Sequence, residues 1–131
     1  MIRSRFRLLA AACALLVSPV SAQEPARDST AVKQVEVGGQ WFSARCAECH
    51  ATNLSDPDFR LKWAGRNAYE LYDRMRSTMP DSDPGSLTAE TYVAIAAYLM
   101  KMNGMPAAPA ALTTDSTTLA AIKLAFPSTT R

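Results

Sequence analysis

Cys46-Ala47-Glu48-Cys49-His50 constrains this chain more than any other stretch. Thiols three positions apart fall on one face of a helical turn, and an imidazole at the next position sits close beside them. His50 is the chain's single histidine, and Cys46 and Cys49 are its only cysteines beyond residue 22. Whatever this cluster does, it does without help from a remote Cys or His.

A Cys-x-x-Cys-His run reads as a site of c-type haem attachment. Each cysteine would form one thioether to a haem vinyl group, with His50 held beneath the iron as an axial ligand. Three other readings stay open at this level. A structural zinc normally takes four protein ligands, and the cluster offers three. A thioredoxin-like Cys-x-x-Cys pair belongs in a βαβ context, whereas the pattern here is helical with no strand run. A Cys46–Cys49 disulfide would close a very short loop and stabilise little.

The 131 residues argue for one domain. The start resembles a secretory signal: Arg3, Arg5 and Arg7 form a basic region, Leu8 to Val17 is apolar, and Val20-Ser21-Ala22 offers small residues for cleavage. The apolar run is about ten residues, too short to span a bilayer. Competing readings are an uncleaved anchor and a lipoprotein acylated at Cys13, although Ala10-Ala11-Ala12 fits the lipoprotein pattern poorly. Cleavage after Ala22 removes three of the 14 basic residues and none of the 12 acidic ones, so the mature chain is near neutral. No basic face points to nucleic acid, and no stable membrane span is expected after cleavage. A periplasmic location follows, and covalent haem attachment of this kind takes place outside the cytoplasm. So short a mature chain buries a modest core, so a haem plate would be a large part of it and the apo-protein is expected to fold poorly.

The expected division is a signal at 1–22, a flexible lead-in at 23–32, a haem domain at 33–107 and a tail at 108–131. A first helix is expected from about Lys33 to Cys46, with Gly38, Phe42 and Cys46 on one face; Gly38-Gly39 leaves its start open. Asn53 to Gly65 reads as irregular, since Pro57, Asp56, Asp58 and Gly65 are turn residues. Phe59, Leu61 and Trp63 are then loop side chains folding onto a haem edge. Trp63, Arg60 and Arg66 are candidate donors to the haem propionates, with plain core packing the alternative for Trp63. Asn67 caps a helix to about Ser77, which Thr78-Met79-Pro80 ends. Thr88 caps the clearest helix, with Tyr92, Ile95, Ala96, Leu99 and Met102 on its apolar face and Asn103-Gly104 as its stop. It is expected to cross the first helix at Gly38 and Phe42, with Ile95 and Tyr98 or Leu99 opposite. The tail has room for one short helix between Asp115 and Phe126.

A single histidine excludes bis-histidine ligation within the chain. A methionine thioether is the usual alternative, and it raises the reduction potential of the iron. Met75, Met100 and Met102 lie within helices, where methionine is more often core filling. Met79 sits past a helix end, before Pro80, and is the preferred sixth ligand. Met105 in the tail comes next, and a five-coordinate iron is the remaining option.

With these residues in place, the sequence resembles the class I c-type cytochromes. The matching residues are the Cys46–His50 motif early in the mature chain, Gly38 and Phe42 before it, Thr78-Met79-Pro80, and Ile95-Ala96-Ala97-Tyr98-Leu99. Gly65-Arg66, Pro84-Gly85-Ser86-Leu87 and Asn103-Gly104-Met105-Pro106-Ala107 are similar to cytochrome c modules associated with quinoprotein alcohol dehydrogenases. The resemblance covers about residues 35 to 107. In four-helix cytochromes c′ the motif falls near the chain end, which argues against that fold.

The resemblance implies an all-α, mitochondrial cytochrome c-like fold of about three to five helices around one covalent haem c. It implies His50/Met79 ligation and one-electron transfer between redox proteins, with a quinoprotein dehydrogenase or a terminal oxidase as candidate partner. No catalytic residue is expected in such a carrier, whether it diffuses freely or is a fixed subunit of a dehydrogenase complex. The alternative class is a haem enzyme or gas-binding sensor with an open or displaceable sixth position. The long tail beyond Pro106 departs from the family pattern.

Overall fold

A computed structural model describes residues 28–106 and 108–127. The expected signal at 1–22 and the lead-in as far as residue 27 lie outside the described residues. The architecture is all-α: α1 (Ser29–Arg45), α2 (Ala47–His50), α3 (Pro57–Trp63), α4 (Ala68–Thr78), α5 (Ala89–Met102) and α6 (Ser116–Ala121). The count of six exceeds the expected three to five because the motif forms its own turn as α2, and because α3 occupies a stretch expected to be irregular.

A side-chain cap starts every helix longer than one turn. Asp28, Asp56, Asn67, Thr88 and Asp115 each accept a backbone N–H from the first turn, at 2.7–3.2 Å, which satisfies one of the donors a helix start leaves over. The Asp28 cap starts α1 at Ser29, so residues 29–32 are helical and not part of a flexible lead-in. Asp56-Pro57 also proves to be a helix start and not a turn, because proline at the first helical position has no N–H to lose. On α3, Phe59 and Trp63 stand four apart on one buried face, while Leu61 is 80% exposed. The alternating apolar pattern was therefore two positions of a helical stripe plus one outward side chain.

α1 and α5 pack together as the scaffold of the domain. A Cβ at Gly38 would collide with the Ala94 carbonyl oxygen, and one at Gly39 would press on the Tyr98 ring at 3.0 Å. The two glycines do not break α1; they let α5 approach it. Phe42 packs on Tyr98 with ring centroids 5.3 Å apart, so the crossing meets Ala94 and Tyr98 across from Gly38 and Phe42.

The tail docks on this body. Gln34 and the Leu112 backbone exchange two hydrogen bonds of 2.8 Å. Further along, the Ala68 N–H donates to Ile122, the Gly65 N–H to Leu124, and the Leu124 N–H to Arg66, at 2.9–3.0 Å. These bonds brace the start of α4, and Leu112, Leu119 and Leu124 are buried beneath them. Phe126 reaches Phe59 of α3 edge-on. Among the described residues no helix is long and apolar enough to cross a membrane.

Candidate functional site

The end of α1 carries the motif into place. The Cys46 N–H still bonds the Phe42 carbonyl at 2.8 Å, but its backbone departs from helical angles and the chain bends there. α2 then winds one turn, with the His50 N–H on the Cys46 carbonyl at 2.9 Å. Cys46 is half-buried and Cys49 exposed, and both are free thiols. Burial pushes the Cys46 thiol above its ordinary value, with the charge of Arg45 opposing.

Cys46, Cys49 and His50 line a cavity of about 540 Å³ together with Phe42, Leu54, Met79, Tyr92 and Ile95. A second cavity of about 330 Å³ is lined by His50, Asn53, Phe59, Trp63, Arg74 and Met79, among others. His50, Leu54, Met75, Met79 and Leu99 border both. The cavities are of the size that buries a large organic ligand, and their walls are mainly aliphatic and aromatic. The other lining groups include an imidazole, two thioethers and two thiols, the nitrogen and sulfur donors that suit haem iron and its covalent attachment, beside the carboxylates of Glu48, Asp56, Asp58 and Asp81. The residues present therefore fit a haem. No group of three or more His, Cys, Asp or Glu side chains comes together to hold a metal ion among the described residues, so the zinc reading gains no support from the geometry.

Asn53 orients the histidine. His50 Nδ1 lies 3.1 Å from Asn53 Oδ1. A carbonyl oxygen only accepts, so Nδ1 is the donor of this pair and Nε2 is the nitrogen left for a metal. The sequence signal for Asn53 was its position three residues beyond His50, on the same face of a turn. Asn103, buried at the end of α5, donates to the Leu54 carbonyl at 2.7 Å and to the Leu99 carbonyl at 2.9 Å. It fastens the segment after the motif to the scaffold.

Met79 follows α4, and its N–H closes the last turn onto the Met75 carbonyl at 2.8 Å. Met75, one turn earlier, also lines both cavities and is the thioether sequence reasoning passed over. Met105, the second candidate by sequence, lines neither. Gly104, at φ +83°, turns the chain back at the end of α5, and Met105 is buried in the core cluster.

Trp63 is buried against Phe59 and forms part of the second cavity's wall, so packing and cavity lining coincide there. Arg66 stands outside both cavities. Its guanidinium lies over the Trp63 ring at 5.4 Å and 3.7 Å from the Glu70 carboxylate, exposed and lining neither cavity. Arg60 donates to the Ser55 carbonyl at 2.9 Å and likewise lines neither. Lys62 and Arg74, which the sequence did not mark, are the basic side chains that do line the second cavity.

Residues 33–99 match the model of the family described as cytochrome C oxidase, cbb3-type, subunit III. No curated protein and no solved structure matches the chain. The matched stretch runs from α1 through most of α5, just over half of the chain, and carries the motif, both cavities and the α1–α5 crossing. The chain belongs to this family, and its body is a class I c-type cytochrome domain, the kind that serves haem-based electron transfer.

Proposed function

We propose that this protein is a periplasmic monohaem c-type cytochrome that carries single electrons between redox partners. The observation that carries the reading is the convergence of Cys46, Cys49 and His50 with Met79 on one largely apolar cavity. Cys46 and Cys49 would tether the haem through thioethers, and His50 Nε2 and the Met79 thioether would hold its iron. The bound haem supplies a one-electron iron couple, its potential raised by the thioether. The residues around it hold the two axial groups in place and exclude water, so that little rearranges when the charge changes. Trp63, Lys62 and Arg74 line the second cavity and would be the donors to the haem propionates. The description of the matching family supports a terminal oxidase as partner, ahead of the quinoprotein dehydrogenase suggested by the sequence. In this reading residues 1–22 are a signal, the haem domain begins with α1 at Ser29 and not at residue 33, and the tail is part of the folded body.

The test is maturation of the precursor in a bacterial host with haem-attachment machinery, followed by spectra of the periplasmic fraction. The expected product has haem that survives denaturation, a low-spin spectrum with a methionine-to-iron charge-transfer band, and no carbon monoxide binding when reduced. Cys46→Ala with Cys49→Ala abolishes the covalent haem. Haem still attached to that double variant after denaturation overturns the site. Ready binding of carbon monoxide to the wild type moves the protein to the enzyme or sensor class.

A further inference from the structure

Met79 leaves α4 with its carbonyl outside the helical bonding pattern. Two donors reach that oxygen: the Tyr92 hydroxyl at 2.6 Å and, more distantly, the Gly85 N–H at 3.3 Å. Tyr92 is 2% exposed, lines the larger cavity, and sits in the first turns of α5. Two residues further along α5, Ala94 is locked against Gly38 of α1. The hydroxyl is thus mounted beside the close contact of α1 with α5 and holds the backbone of a residue that otherwise belongs to a connecting segment.

A methionine side chain has three rotatable bonds and does not fix its own sulfur. The position of the thioether therefore depends on what fixes the Met79 backbone. A buried phenol needs a hydrogen-bond partner, and the geometry gives it this one.

We propose that Tyr92, through its hydroxyl on the Met79 carbonyl, is a positioning residue that keeps the Met79 thioether on the iron. The inference rests on Met79 being the sixth ligand. Tyr92→Phe keeps the ring that lines the cavity and removes only the hydroxyl. It leaves the Met79 carbonyl with the Gly85 N–H and loosens the segment relative to α5.

The experiment compares wild type, Y92F, Y98F and M79A as haem-loaded proteins, reading the methionine-to-iron band and the rate at which imidazole displaces the sixth ligand of the oxidised form. Y98F removes a tyrosine hydroxyl from the same helix at the Phe42 contact and serves as control. The expected result is displacement about three- to tenfold faster in Y92F, with a weaker band, while Y98F matches wild type. Y92F equal to wild type overturns the proposal and leaves Met79 as ligand untouched. A wild type without the band, or an M79A variant that keeps it, overturns the ligand assignment and this inference with it. If Y92F does not mature, proton NMR of reduced wild type decides. A Tyr92 hydroxyl proton in slow exchange with solvent and close to Pro80 supports the proposal, and a freely exchanging one overturns it.

Discussion

The cavity is built from two sides that are held very differently. On the motif side, Cys46 to Asn53 is mostly exposed, and its hydrogen bonds join residues three or four apart. On the Met79 side, bonds span the fold: the buried Tyr92 hydroxyl reaches back 13 residues, and α4 is braced by the tail. Local exposed bonds compete with water and contribute little, whereas buried ones are expensive to break. The protein thus holds the methionine side at the Met79 backbone itself, whereas the motif side is tied to the scaffold beyond its end, where Asn103 donates to the Leu54 carbonyl.

The largest expected effect tests which thioether the methionine side presents. Met79→Ala abolishes the methionine-to-iron band, lowers the reduction potential and lets carbon monoxide bind the reduced form. The measurement is a redox titration with parallel carbon monoxide difference spectra. Met75→Ala is the informative companion because Met75 borders the same two cavities. If that variant loses the band while M79A keeps it, the ligand lies one turn earlier, inside α4, and the connecting segment loses its assigned role.

Next in size is removal of residues 108–131. Leu112, Leu119 and Leu124 are buried, and each such side chain is worth about 1.5–3 kcal/mol when fully buried. Ordering the segment costs backbone entropy, so the net effect is smaller than that sum. We expect a net loss of about 2 kcal/mol, or roughly 10 °C in Tm for a domain of this size, read by thermal denaturation of the haem-loaded protein. The spectrum stays low-spin, because the tail lines neither cavity, although its Phe126 packs on Phe59 behind the second one. A high-spin truncated form would mean that tail bracing reaches Met79.

The same contrast explains what was legible in the sequence. The motif, the Thr88 and Asn67 caps, the glycine crossing of α1 with α5 and the helical end before Met79 depend on residues close in sequence or on one periodic face. α3 was hidden because Asp56-Pro57 serves equally as turn and as helix start, and three apolar positions do not separate a period of two from one of 3.6. Tyr92 read as one more member of an apolar stripe, and nothing local marks its hydroxyl for a carbonyl 13 residues away. The positions of Arg66 and Met105 outside both cavities were hidden for a related reason. Their surroundings are set by Trp63 with Glu70 and by the turn at Gly104, and not by any pattern that points toward a cavity.

The smallest expected effect addresses the motif side. Asn53→Ala removes the acceptor from His50 Nδ1. A hydrogen bond at Nδ1 raises the basicity of the imidazole and so favours the oxidised iron, which means its loss should raise the potential. The pair is exposed, and water takes over much of the acceptor's role, so about 0.5 kcal/mol is at stake. For a one-electron couple that is roughly 20 mV, measurable by redox titration against wild type. The band and the carbon monoxide response should not change. A shift beyond about 60 mV, or a high-spin form, would show that a single local bond holds His50 as firmly as the buried hydroxyl holds Met79. The difference between the two sides would then lie in which of them the haem meets, and not in how strongly the protein secures each.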